Sequence, residues 1–67
     1  MKIRVNGAEM VIPEAATIDH LLDLLEFKGQ GRFAVEINGE IIARSQYMHH
    51  RLAADDRVEV VRAIGGG

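Results

Sequence analysis

Apolar and polar residues alternate with a period of two in three stretches of the chain and with a period near 3.6 in one. KIRV puts Ile3 and Val5 on one side, EMVI puts Met10 and Ile12 on one side, and FAVEI does the same with Phe33, Val35 and Ile37. A period of two is that of a strand with one face buried. EIIA (40–43) and RVEVVRAI (57–64) read as two further strands; the last carries Val58 and Val60 on one face and Val61 and Ala63 on the other. Ile18, Leu21, Leu22 and Leu25 instead fall at i, i+3, i+4 and i+7, the apolar stripe of a helix, and Leu24 and Phe27 widen it. The spacing predicts a helix over roughly 17–28. Thr17 is placed to cap its first amides, and Asp19 sits where the helix dipole favours an anion. Lys28 lies near its end, and Gly29 is the expected left-handed residue beyond it.

Turn chemistry orders these pieces. Asn6-Gly7 joins the first two strands and Asn38-Gly39 the next two. Asn-Gly is the two-residue type I′ hairpin signal, because both positions need positive φ. Pro13 stops the second strand. RSQYMHHRLAADD is an irregular stretch with room for one short helical turn, and Tyr47 and Met48 are expected to tuck under the sheet edge as satellite core. The order is β-β-α-β-β-β. One helix across one face of a single mixed sheet buries both apolar surfaces in two layers. This is an α+β, β-grasp arrangement, with the apolar last strand parallel to the first in mid-sheet. Leu21, Leu25, Val5, Val35, Ile37 and Val60 are the expected core. The uncovered face should carry Arg4, Ala34, Glu36, Val61 and Ala63. Residues 1–64 form one domain, and 65–67 a glycine tail.

Composition narrows the function. With 67 residues the chain has little surface to spare for a deep pocket, which argues against a self-sufficient enzyme. Apolar residues at 48% support a core. Cysteine is absent, so neither a disulfide nor a thiolate is available, and a reducing, cytoplasmic setting is the natural reading. A net charge of −2 argues against nucleic acid as the main partner. No apolar run approaches the ~20 residues of a membrane helix, and MKIRVNGAEM lacks the apolar core of a signal peptide.

Few side chains offer chemistry. Gly29-Gln30-Gly31-Arg32-Phe33-Ala34 matches G-x-G-x-x-A, but a dinucleotide site needs strand, loop, then helix, and here a helix precedes a strand. His49-His50 with His20 falls short of a convergent metal site, since neighbouring residues of an extended segment point apart. Ser45, Thr17 and Tyr47 are the only hydroxyl residues, and none has an obvious base beside it in sequence. Asp55-Asp56 reads as a solvated turn. No catalytic residue and no metal ligand is therefore assigned.

What remains is Gly65-Gly66-Gly67. At ~7% average glycine usage such a run has a chance frequency of about 3 in 10,000, rare enough to set beside a frayed end or a linker remnant. Glycines without side chains can pass through a narrow channel. Extended, three residues reach about 10 Å. A terminal carboxylate is anionic at neutral pH; attacking the α-phosphate of ATP, it would become an acyl adenylate that a sulfur donor or a lysine amine could then take up.

Here the chain resembles a known family, the ThiS-like sulfur carriers of thiamine thiazole biosynthesis. The resemblance spans the whole chain: KIRVNG, TIDHLL, AVEINGEIIARSQY, the L-x-x-D-D-R-V-E-V-V run and the closing AIGGG. N-G-E-I-x-x-R-S and the ending are its most specific parts. Ala54-Asp55-Asp56 departs from the family's usual Gly-Asp, and Tyr47 stands where Trp is common. The resemblance implies that a ThiF-like adenylating enzyme activates Gly67 with ATP, that a sulfur donor such as a cysteine desulfurase converts it to a thiocarboxylate, and that thiazole synthase takes the sulfur. Gly65 and Gly66 would be the threaded tail, and Arg4, Ala34, Glu36, Val61 and Ala63 the docking face. The carrier itself would hold no cofactor, the ATP being the partner's. Two other outcomes stay open at this point: a carrier for another product, such as molybdopterin, and a ubiquitin-like protein modifier.

Overall fold

The computed structural model describes residues 1–27 and 32–62. Strands β1 (Lys2–Val5) and β2 (Ala8–Val11) form the first hairpin, helix α1 (Ile18–Leu24) follows, and β3 (Phe33–Ile37) with β4 (Glu40–Ile42) forms the second hairpin. A short 3-10 turn (Arg44–Gln46) and β5 (Arg57–Arg62) complete the described chain. The sheet runs β2-β1-β5-β3-β4, with β5 parallel to β1 and antiparallel to β3. The last strand is thus the central one, as its apolar character predicts.

Both Asn-Gly pairs adopt the expected turn. Asn6 and Gly7 have φ of 49° and 85°, and Asn38 and Gly39 have φ of 52° and 87°. Alternation then sends Ile3, Val5, Val35, Ile37, Val58 and Val60 into the core, where Ile18, Leu21 and Leu22 of α1 meet them. Ile12, Ala16, Tyr47 and Leu52 close its rim.

The helix start is sewn to the loop after β4. Thr17 accepts a hydrogen bond from the amide of His20 at 3.1 Å. The amides of Ile18 and Asp19 donate to the carbonyls of His50 and Tyr47 at 3.1 and 3.0 Å. The amide of Leu52 donates to the carbonyl of Ala16 at 2.8 Å. The orphan donors of the first turn are therefore satisfied inside the fold.

The helix end corrects the sequence reading. The helix stops at Leu24, with Leu25 as its cap, and Glu26 takes the left-handed position at φ 59°. The amide of Phe27 donates to Leu22 at 2.9 Å and that of Glu26 to Asp23 at 3.0 Å, the paired bonds of a Schellman closure. Lys28 and Gly29, expected as the helix end, lie outside the described residues. Shortening the helix changes two faces. Leu25 is half-buried rather than core, because it caps the helix at the core's margin. Leu24 is 47% exposed, because only one stripe of so short a helix meets the sheet. Truncation of a fully buried leucine costs about 2–5 kcal/mol; Leu21 and Leu22, not Leu25, are the positions where that figure applies. Met48 is also corrected. Tyr47 is buried as expected, but Met48 is 69% exposed, since consecutive residues after the 3-10 turn cannot both face inward.

Candidate functional site

The strand that leads towards the glycine tail is held on both sides. β5 pairs over five positions with β3, from Ile37↔Val58 to Phe33↔Arg62. On its other side the parallel ladder includes Arg4 N–H to Asp56 O and Asn6 N–H to Val58 O, both at 2.9 Å. β1 turns away at Asn6, where the next ladder bond would need a backbone carbonyl. The Asn6 side chain supplies the acceptor instead: the amide of Val60 donates to its Oδ1 at 2.9 Å. Asn38 holds the other end of β5. Its Oδ1 accepts from the amide of Arg57 at 2.9 Å, and its Nδ2 donates to Asp56 Oδ1 at 3.0 Å. Asp56 Oδ2 in turn accepts from the amide of Ala53 at 2.8 Å. Asp56 is thus a structural tie as well as a turn residue.

The uncovered face of the sheet carries Arg4, Ala34, Glu36 and Val61, with Arg4, Ala34 and Val61 exposed and Glu36 half-buried. Ala34 and Val61 are cross-strand partners next to the end of β5. Ile41 of β4 lies beside Glu36 and is 70% exposed, extending the apolar surface. Arg57 and Glu59 of β5 join Arg4 and Glu36 around a shallow concavity of about 300 Å³, with Gly7 and Gly39 at its rim. The register sets Arg4 beside Arg57 and Glu36 beside Glu59, so the four charges stand as two like-charged pairs. Sequence reasoning named Arg4, Ala34, Glu36 and Val61 but missed Ile41, Arg57 and Glu59. The signal was present: two consecutive isoleucines in one strand cannot both face a core. Ala63 and the tail residues Gly65, Gly66 and Gly67 lie outside the described residues.

The other candidates stay apart. His20 and His49 are exposed, and His50 is half-buried with its carbonyl engaged by the helix start. Among the described residues no group of three or more His, Asp or Glu side chains is close enough to hold a metal ion. No helix among them is long and apolar enough to cross a membrane.

The ThiS family model matches residues 2–67, almost the whole length. The chain belongs to the ThiS family. These are small sulfur carriers with the ubiquitin-like β-grasp fold seen here. The thiamine biosynthesis protein ThiS of Geobacter metallireducens superposes with a TM-score of 0.86 at 29% identity, each chain covered in full. A thiazole synthase of Magnetococcus marinus is 39% identical over 67 residues, and one of Paramagnetospirillum magneticum is 36% identical. All of this chain matches in both, but it spans only 20% of the length of either. The uncharacterized protein ycf40 of Porphyra purpurea is 28% identical over 67 residues, 93% of its own length.

Within the Ala54-Asp55-Asp56 turn, Asp55 sits at φ 69°. The position needs a left-handed residue, and Asp is among the few besides Gly that adopt that conformation readily.

Proposed function

We propose that this chain carries sulfur for thiazole formation in thiamine biosynthesis, in the cytoplasm. The observation that carries the reading is the likeness of the whole chain, as a ThiS-family member, to a segment of two thiazole synthases. A carrier domain covalently joined to the enzyme that uses its cargo holds the two at high effective concentration, which favours thiazole synthase as the acceptor here. The chemistry asks for a free carboxylate on Gly67. One of its oxygens attacks the α-phosphorus of ATP bound by a ThiF-like enzyme, the bond to pyrophosphate breaks, and an acyl adenylate forms. A sulfur nucleophile then attacks the acyl carbon and expels AMP. Hydrosulfide gives the thiocarboxylate directly; a persulfide, such as a cysteine desulfurase supplies, gives an acyl disulfide that a thiol cleaves to the same product. Gly65 and Gly66 pass through the partner's channel, where a side chain would not fit.

The uncovered face fits the docking role. Val61, Ala34 and Ile41 form a small apolar centre beside charged Arg4, Glu36, Arg57 and Glu59, the mixed surface of an interface that must release after each transfer. Charge reversal at Arg4 is expected to slow adenylation while leaving thermal unfolding unchanged. A bulky residue at Gly66 should abolish activation and leave stability near wild type.

The test is intact-protein mass spectrometry after incubation with a ThiF-like enzyme, ATP and a sulfur donor. One oxygen of the last residue should be exchanged for one sulfur. Adding thiazole synthase with its substrates should return the carboxylate. Sulfur release only to a molybdopterin synthase large subunit would reassign the pathway, and an isopeptide on other proteins would make the chain a modifier.

A further inference from the structure

Alternation along β5 separates two surfaces at the foot of the tail. Val60 is buried on the helix side and Val61 lies on the uncovered side, so Arg62 returns to the helix side, opposite Phe33 in the register. There its guanidinium sits 5.3 Å from the centre of the Phe27 ring, and that of Arg44 sits 5.3 Å from the centre of the Phe33 ring. The two rings meet edge to face with centroids 5.6 Å apart. Phe33 also stacks on buried Tyr47 at 6.3 Å, which anchors the group to the core. Two cations are thus mounted on neighbouring rings, although the chain as a whole is acidic.

Ring contacts hold a guanidinium by its face and leave its N–H donors at the edge available. Neither Arg44 nor Arg62 makes an ion pair or a side-chain hydrogen bond among the described residues, and Glu26, next to Phe27, pairs with neither. Two guanidinium forks with no ion-pair partner among the described residues match the bidentate geometry of carboxylates and phosphates. A nucleic acid is disfavoured by the net charge of −2. The phosphates of ATP are out of reach. With the tail extended through a partner, the five residues from Arg62 to Gly67 set the reacting carboxylate about 17 Å beyond Arg62.

We propose that Arg44 and Arg62 form a second recognition surface, on the helix side of the tail's foot, that binds paired carboxylates of the adenylating enzyme at the mouth of its channel. This rests on the carrier reading above. The uncovered face supplies the apolar contact, and the arginine pair fixes how the tail is presented.

The experiment is steady-state adenylation of the full chain by the ThiF-like enzyme, with carrier and ATP varied separately. R44E/R62E should raise the carrier's KM at least about tenfold, with kcat and the KM for ATP unchanged. R44K/R62K should recover only part of the loss, because an ammonium cannot make the bidentate bond. The salt dependence of the carrier's KM should flatten in R44E/R62E. Thermal unfolding of each variant checks the fold, and R44Q/R62Q replaces the reversal if it fails to fold. An unchanged carrier KM at low salt overturns the proposal, and so does a rise confined to the KM for ATP, which would place the arginines on the nucleotide. A wild-type chain that is never adenylated overturns the carrier reading itself.

Discussion

Asn6-Gly7 and Asn38-Gly39 turn the chain in the same way, within 3° in φ at each position, yet their side chains are put to different uses. Asn6 acts as a substitute backbone. Its Oδ1 takes the half-buried amide of Val60, 54 residues away, and so lengthens the parallel ladder past the point where β1 leaves it. Asn38 acts as a clip. It joins an exposed amide at Arg57 to the carboxylate of Asp56, and through it to the amide of Ala53. One dipeptide specifies the turn locally, and the fold decides what the spare amide group does.

Five single substitutions break or sharpen that contrast. Asn6→Gly keeps the turn's positive φ and removes only the acceptor. Leaving the Val60 amide unpaired should cost about 1–3 kcal/mol in urea unfolding, with faster hydrogen exchange at Val60. Gly7→Ala and Gly39→Ala test the shared part. Nothing lies within 4 Å of a Cβ at either site, so both costs come from backbone strain rather than a clash, about 1–2 kcal/mol each and equal to within about 0.5 kcal/mol. Unequal costs would show that the turns are not equivalent. Asn38→Gly should cost less than Asn6→Gly, about 0.5–1.5 kcal/mol, because its bonds are exposed and water replaces them. If it costs more, the clip matters beyond its two bonds, and a double-mutant cycle with Asp56→Ala would show the coupling. The smallest effect lies at the third left-handed residue that closes an element, Glu26. Glu26→Gly should stabilise the chain by about 0.5 kcal/mol, strain relief being partly offset by the freer unfolded chain.

Much of this architecture was legible in the chain because it depends on neighbours in sequence. The two turns, the alternation of β1 and β3 and the Thr17 cap all follow from local chemistry. The central place of β5 follows from apolar residues on both its faces. The illegible parts depend on distant groups. Glu26 is a poor left-handed residue, so nothing near it foretold that the helix would stop short of Gly29. Leu25 continued the stripe on paper but stands where the helix has already ended. Met48 had the composition of a core residue without the place. At the candidate site, Arg4, Ala34, Glu36 and Val61 could be assigned to a face by counting. Arg57 and Glu59 follow from the same count, on the face of Val61, and the register adds only that they stand beside Arg4 and Glu36. The guanidiniums of Arg44 and Arg62 lie over Phe33 and Phe27, 11 and 35 residues away in sequence.

The parallel pairing of β1 with β5 has a mechanical consequence. A pull between Met1 and the end of β5 draws two neighbouring strands past each other along their length. The bonds Arg4 N–H to Asp56 O, Asn6 N–H to Val58 O and Val60 N–H to Asn6 Oδ1 lie across that motion and share it. They are sheared together rather than unzipped one at a time, so tension on the tail is met by the strongest loading geometry a sheet provides. If the tail is drawn through a partner's passage, as proposed above, the load falls on these bonds together.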